Sequence, residues 1–412
     1  MVSLRNPVVF LWLALGVCAE SLYCSASYEW HREDMGFPWS GRPWLVDVAV
    51  ADLDQDGLLD VICCDAQENR ITWARGVEEG GFEERVLMSE VPGPAHVEIV
   101  DLDGDADLDL LVASMGVIFP SNAHVGSVLV LENRGDETFE RRVVLEQTER
   151  VTDVQAADFD GDGDLDLISG QFGYTDGAIR YLENVGDWQF TPSVLSGLSG
   201  TIHTPIFDFD GDGDLDFAAL VSQEWEEIHL FENDGLGRFS DRVIWSSSNQ
   251  DFGCSGMRAC DLDQDGDEDL LFSNGDAFDY ARPGSRPWHG LQWLENRGNG
   301  GFVFHRIGKL HGAYNPIEVD VDSDGDLDVV AVSSFNDWEF PDAVSMVCYV
   351  NDGAMSFDLR VLAYEPTHLV ALDSGDFDGD GIDELVTGGF HAYPPFDRMS
   401  RLSVWKRGQK DD

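Results

Sequence analysis

Four carboxylates fall within nine residues in the stretch Asp52-Leu-Asp-Gln-Asp-Gly-Leu-Leu-Asp60. Nearly the same pattern returns at Asp101–Asp109, Asp158–Asp166, Asp208–Asp216, Asp261–Asp269, Asp320–Asp328 and Asp376–Glu384. Bare, such a cluster repels itself, and a hard cation among the carboxylates is the simplest remedy. Oxygen donors at alternate positions, with Gly at the sharp turn, suit Ca²⁺ better than a transition metal. One such loop is compatible with a solvated turn. Seven in register are not an accident of composition.

The elements that must hold these loops follow from their spacing. The first residues of successive motifs lie 49, 57, 50, 53, 59 and 56 apart. A period near fifty marks a repeat architecture in which neighbouring units bury each other's apolar faces. Around the third motif, Asp153–Ala157 reads as a short strand entering the loop, and Leu167–Ser169 opens a second. Ala178–Leu182 alternates as a third strand, Glu183–Gly186 is a turn, and Gln189-Phe190 opens a fourth. The third strand and its turn recur as Val128–Asn133, Ile228–Asn233 and Leu291–Asn296, each followed by a Gly turn and then Phe139, Phe239 or Phe302. Four short antiparallel strands per repeat make one propeller blade. The fold expected is therefore all-β, a seven-bladed β-propeller.

After the seventh motif, residues 385–389 and 401–406 supply only a second and a third strand. Tyr28-Glu-Trp-His-Arg32 is similar to Phe302-Val-Phe-His-Arg306, the fourth strand of the fifth unit. The start of the chain is thus expected to complete the last blade, which removes an open sheet edge.

Composition sets further bounds. The 412 residues carry 79 acidic and 25 basic side chains, a net charge of −54, yet 43% are hydrophobic and twelve are Trp. A large core is affordable and disorder is excluded. The ligand-type positions of the seven loops account for 28 carboxylates, and seven Ca²⁺ would neutralise half of them. The excess repels phosphate backbones and anionic membranes, so nucleic acid is a poor partner. Arg5 followed by the apolar Pro7–Val17 reads as a secretory signal, with a cut after Ala19 and a second possible cut after Ala26. That places the signal at 1–19 and the propeller at 20–412, secreted, periplasmic or at the cell surface, without membrane insertion. Cys24, Cys63, Cys64, Cys254, Cys260 and Cys348 lack metal-site spacing. Cys254 and Cys260 are the one candidate disulfide, and buried free thiols are the alternative.

The loops and the apolar run after each resemble the FG-GAP or VCBS repeats of integrin-α-like β-propellers, over essentially all of residues 28–406. The resemblance implies a calcium loop between the first and second strands of each blade. It implies side-chain ligands at positions one, three, five and nine, and a carbonyl ligand at position seven. In the first loop these are Asp52, Asp54, Asp56 and Asp60 with the Leu58 carbonyl, and in the second Asp101, Asp103, Asp105 and Asp109 with that of Asp107. The third offers Asp158, Asp160, Asp162 and Asp166 with Asp164, and the fourth Asp208, Asp210, Asp212 and Asp216 with Asp214. The fifth offers Asp261, Asp263, Asp265 and Asp269 with Asp267, and the sixth Asp320, Asp322, Asp324 and Asp328 with Asp326. The seventh offers Asp376, Asp378, Asp380 and Glu384 with Ile382. Two loops depart from the pattern: Ala106 stands where Gly is expected, which should strain the turn, and Glu384 replaces the last Asp. An EF-hand is rejected because it needs Glu at position twelve, where these loops have Cys63, Val112, Ser169, Ala219, Phe272, Ala331 and Thr387.

Identical, self-filled loops suit a structural role for calcium, so function is sought where the repeats differ. Connections between second and third strands share a face with those joining blades, opposite the acidic loops. That face collects Phe119 and His124, then Tyr280, Trp288 and His289, then Trp338 and Phe340, then His391 and Tyr393. Inter-blade segments add His96, His203, Tyr314 and His368. Such rings suit a glycan or peptide ligand, or they cap the core. The leading expectation is an extracellular binding or adhesion module for a glycan or protein, including carbohydrate binding. The alternatives are a polysaccharide lyase or sugar dehydratase using His96, His203, Arg282 and Tyr280 in the funnel, and a passive scaffold. No Gly-x-Ser-x-Gly, His-Glu-x-x-His or phosphate loop is present.

Overall fold

The computed structural model describes residues 29–78, 81–135, 137–223, 225–278, 280, 283–298 and 300–408. Residues 1–19 and Tyr28 and Arg282 lie outside these. The described residues form seven antiparallel sheets, one for each acidic motif. Blade three shows the unit: Arg150–Ala157, Asp166–Phe172, Ala178–Asn184 and Phe190–Ser196, paired in that order. Blade four differs at its axial strand, which is split into Thr201–His203 and Ile206–Phe207. Pro205 lies in the break, where it has no N–H to give to the ladder.

Burial follows the position of each strand in its blade. Second strands such as Asp60–Asp65, Asp109–Ser114 and Asp328–Ser333 are buried at every residue, because adjacent blades cover both faces. Fourth strands alternate exposed and half-buried residues, as in Phe139–Thr148. The core is therefore not one globule but seven apolar layers, one between each pair of neighbouring blades. Leu53, Ile62, Trp73, Val97, Leu110 and Leu129 join blades one and two. Leu45, Val48, Val61, Ala371, Val386 and Val404 join blade seven back to blade one. Each fully buried Leu, Ile or Val in these layers contributes roughly 1.5–3 kcal/mol.

The outer strand of blade seven comes from the other end of the chain. Trp30–Met35 pairs antiparallel with Leu402–Arg407, from Trp30 opposite Arg407 to Met35 opposite Leu402. Arg401, just before that strand, is buried and donates to both oxygens of Glu84 on the outer strand of blade one, at 2.8 and 2.7 Å. The Phe37 amide donates to the same carboxylate. One buried ion pair thus fastens the first blade, the last blade and the N-terminal segment together.

The described cysteines are free and buried. Cys254 and Cys260 begin and end one strand, so at ~3.3 Å per residue they sit roughly 20 Å apart and cannot bridge. No helix among the described residues is long and apolar enough to cross a membrane.

Candidate functional sites: acidic loops and axial funnel

Each acidic loop is folded by its own carboxylates. Asp158 accepts from the amides of Gly161 (2.8 Å) and Gly163 (3.1 Å), and Asp162 accepts from Asp164 (2.9 Å). The sixth position turns through positive φ, at 95° in Gly163 and 98° in Gly266. Ala106 takes the same turn at 76°, the strain expected of it. The ninth carboxylate does more than the sequence reading assigned it. Asp109 accepts from the amides of Leu102 (3.1 Å) and Asn133 (2.7 Å), and Asp328 from those of Val321 (3.0 Å) and Asn351 (2.8 Å). It ties the loop to the end of the third strand. The Asn there reciprocates: Nδ2 of Asn133, Asn184, Asn233, Asn296 and Asn351 donates to the carbonyl at position eight. The recurrent Glu-Asn pair was visible in the sequence as a turn; its asparagine is a staple.

The loops place carboxylates close enough to share an ion. Oxygens of Asp101, Asp103 and Asp109, and of Asp208, Asp210 and Asp216, lie within 4.8 Å of one another. Position three is the least satisfied: both oxygens of Asp54, and Oδ1 of Asp263 and of Asp322, are buried without a hydrogen-bond partner. Burial, aided by neighbouring carboxylates, pushes Asp103, Asp210, Asp263 and Asp322 above the usual carboxylate range. Burial likewise lifts the ninth carboxyl, to about 6 in Asp109 and about 7 in Asp328 and Glu384. Orphaned acceptors and crowded, desolvated acids form a donor set that fits a hard divalent cation. Loop one gathers Asp52, Asp54 and Asp60 in the same way, with both Asp54 oxygens buried and without a hydrogen-bond partner, but here Arg75 also reaches in: Nε lies 2.5 Å from Asp54, and Nη2 donates to Asp56 at 2.8 Å.

The opposite face is organised by a device absent from the sequence reading. Every axial strand slips register near its start, between Leu45 and Asp47, Pro94 and His96, Val151 and Asp153, Thr201 and His203, Cys254 and Gly256, Tyr314 and Ile317, and Leu369 and Ala371. The extra residues are Val46, Ala95, Thr152, Ile202, Ser255, Asn315-Pro316 and Val370. A bulge re-aims its side chain, and all seven blades contribute one such residue to the lining of a cavity of about 220 Å³ over the axis. Met115, Ile118, Phe172, Phe278 and Phe390 complete a largely apolar wall.

Charged groups lie on the residues that follow the bulges. His96 Nδ1 is 3.0 Å from Asp47 Oδ2, and its Nε2 is 3.3 Å from Asp153 Oδ1. Burial works to pull this imidazole down, but Asp153 and Asp47 outweigh it and lift it to about 9. Asp153 also accepts from the Thr204 amide (2.5 Å) and hydroxyl (3.1 Å), donors released by the break in blade four. Farther along the same strands, Arg258 lies 3.6 Å from Glu318 and 3.8 Å from Asp373. Burial raises Glu98 to about 8 and Asp373 to about 6, and it lowers His203.

Of the sequence candidates, His96, His203 and Tyr314 come together in the funnel. The others do not join them. Tyr280 lines an adjoining cavity, which shares Ser222 and Asp276 with the funnel, beside Asp251 and Glu226, with the Arg286 guanidinium 4.0 Å over its ring. Trp288 donates its Nε1–H to the Asp251 carbonyl at 2.7 Å and packs on the core. Trp338 and His391 are buried: Trp338 donates to the Ser334 carbonyl (3.0 Å), and His391 meets Ser400 (2.9 Å). His289 and His368 are buried too, and desolvation holds them near 3 and 4. These rings cap the core. His124 is exposed on the loop following the second strand of blade two.

A closed ring of seven four-stranded blades, each with an acidic loop after its first strand, defines a repeat β-propeller of the FG-GAP type. Four segments, residues 37–112, 117–169, 208–272 and 320–387, match the FG-GAP-like repeat family. They make up more than half of the chain, and the chain belongs to that family. Among solved structures, the fold is similar to BBS1N in complex with ARL6DN in a lead-soaked crystal, with a TM-score of 0.53, 11% identity and coverage of 90% of this chain and 94% of that one. A mercury-soaked crystal of the same complex gives 0.54, 12%, 90% and 94%. At that identity the likeness is one of fold alone. No curated protein sequence matches the chain.

Proposed function

We propose that this propeller is an exported binding module whose axial funnel takes an apolar side chain of a protein ligand, with calcium in loops two to seven holding the blades. The observation that carries the reading is the ring of bulged residues, because a register slip repeated in all seven blades exposes a small, neutral wall over the axis. The rings nearby favour a peptide over a sugar. Phe278 meets Phe335 edge-on at 4.8 Å and Phe390 at 5.5 Å, and Trp44 meets Phe119 at 5.4 Å. Each edge-to-face contact covers part of a ring face and leaves less to stack on. A chain of net charge −54 favours a basic partner over an acidic one. BBS1N crystallised with a second protein, ARL6DN, which is consistent with a protein ligand.

Lyase or dehydratase chemistry has less support. One candidate base, His96, has both ring nitrogens against carboxylates and is lifted to about 9, and Tyr280 lines the adjoining cavity rather than the funnel itself. In the loops, calcium would supply charge neutralisation, with positions one, three, five and nine as side-chain ligands. Residues 1–19 would serve as the export signal, checked by N-terminal sequencing of the mature protein.

The test is a displayed-peptide selection against the calcium-loaded protein, alongside Ala95→Trp, which fills the funnel from a bulge position. Basic peptides with an apolar anchor should be recovered and should lose at least about tenfold in affinity on Ala95→Trp. In parallel, acidic and neutral polysaccharides are scored for retention and for ultraviolet absorbance of unsaturated products. Retention on a polymer without funnel-dependent peptide binding would point to a lectin, and rising absorbance to a lyase; either result overturns the reading.

A further inference from the structure

Arg75 occupies a register position that is acidic in most blades. It lies opposite the ninth residue of its loop, where blades two to five carry Glu132, Glu183, Glu232 and Glu295. Blade six has Val350 there and blade seven Lys406. In blades two, four and five that Glu adds negative potential to the position-three Asp of its own loop. Blade one reverses the sign. The guanidinium of Arg75 donates to Asp56, lies in charge contact with Asp54 without hydrogen-bonding it, and has its remaining nitrogen 3.9 Å from Glu137 in blade two. Glu137 in turn pairs with Arg85 at 2.8 Å, and Arg85 stacks 4.1 Å over Trp73. Among the described residues, no other loop has a Lys or Arg ion-paired to a ligand-position carboxylate at this range.

We propose that Arg75 is the resident cation of the first loop, so that this loop closes and ties blade one to blade two without calcium. The geometry places a fixed positive charge among the ligand carboxylates, held by one hydrogen bond to Asp56 and by close charge contact with Asp54. A planar guanidinium presents its N–H groups in a fixed fork and stays charged at any physiological pH. Calcium needs six to eight oxygens around it, and here two of the carboxylates it would use lie within 2.8 Å of a positive group that would face it at close range. Among the described residues of loops two to seven no ligand carboxylate has a Lys or Arg in ion-pair contact, Lys406 and Arg407 acting on Glu384 and Asp322 only from farther off, and these remain the calcium loops. The inference rests on the calcium reading of those loops.

The experiment is anomalous diffraction at long wavelength from calcium-grown crystals of the wild-type protein and of Arg75→Gln. Density is expected in other loops but not between Asp52 and Asp60 in the wild type, with a new peak there in Arg75→Gln. Bound calcium after dialysis should rise by one equivalent per chain in the variant. A wild-type peak in the first loop overturns the inference and leaves the calcium reading standing. An empty first loop in both proteins, beside filled neighbours, overturns the role of Arg75. No peak in any loop sinks the calcium reading and the inference with it.

Discussion

Replacing Arg401 tests whether the ring is locked where its two ends meet. The side chain is 3% exposed and its partner Glu84 1% exposed, so neither charge has water to fall back on. Arg401→Met keeps most of the volume and strands the Glu84 carboxylate beside Asp65, itself within 3.5 Å of the lost guanidinium. Breaking a buried pair from one side costs about 3–5 kcal/mol, mostly through the charge left behind. At about 2.1 cal/mol/K of unfolding entropy per residue, a cooperative unit of this size should melt about 4–6 °C lower. The neutral double variant Arg401→Met with Glu84→Gln removes the stranded charge and should recover more than half of the loss. Calorimetry in saturating calcium reads both. An Arg401→Met protein within about 1 kcal/mol of wild type would mean the pair is not a latch. A double variant no better than the single one would mean that packing at the seam matters, not charge.

Other consequences are simpler. Ala106→Gly should stabilise the protein by about 0.5–1 kcal/mol, because the alanine is held at φ 76° while glycine accepts that turn freely; an unchanged or lower urea midpoint would contradict this. The His96 imidazole is raised from 6.5 to about 9, so its contribution is complete below pH ~6.5 and is lost as pH climbs through 9. His96→Gln should therefore lose about 2–3 kcal/mol at pH 6 and match wild type above pH ~9.5, and a pH-independent deficit would reject the ionic clamp. Excess chelator should lower the melting temperature substantially, since a ligand at a hundred times its dissociation constant contributes about 2.7 kcal/mol per site. An unchanged melt would defeat the stabilising role.

What could be read without coordinates, and what could not, divides along a physical line. Local signals survived well. Turn glycines, carboxylate spacing and the apolar run after each loop act within about fifteen residues, and they place all seven blades. The N-terminal segment does supply a fourth strand to the last blade, but as Trp30–Met35, and the register puts Trp30 where blade five has Phe302, two residues on from the match that the similarity of residues 28–32 implied. The funnel depended on something else. Whether Ala95 points at the axis or into a blade turns on a one-residue slip in pairing, and a slip of one reverses every side chain. Counting aromatics on the loops could not reveal it, so Trp338 and His391 were placed with the ligand face although both are buried. Arg75 is the intermediate case. Its charge, where its counterparts carry Glu, stands in plain view in Ala74-Arg75-Gly76 against Leu131-Glu132-Asn133. What it means appears only when strand register brings residue 75 across from Asp60 and turns the guanidinium onto Asp54 and Asp56. An irregularity in a repeat is legible as an irregularity; its chemistry is settled by what the neighbouring strand puts beside it.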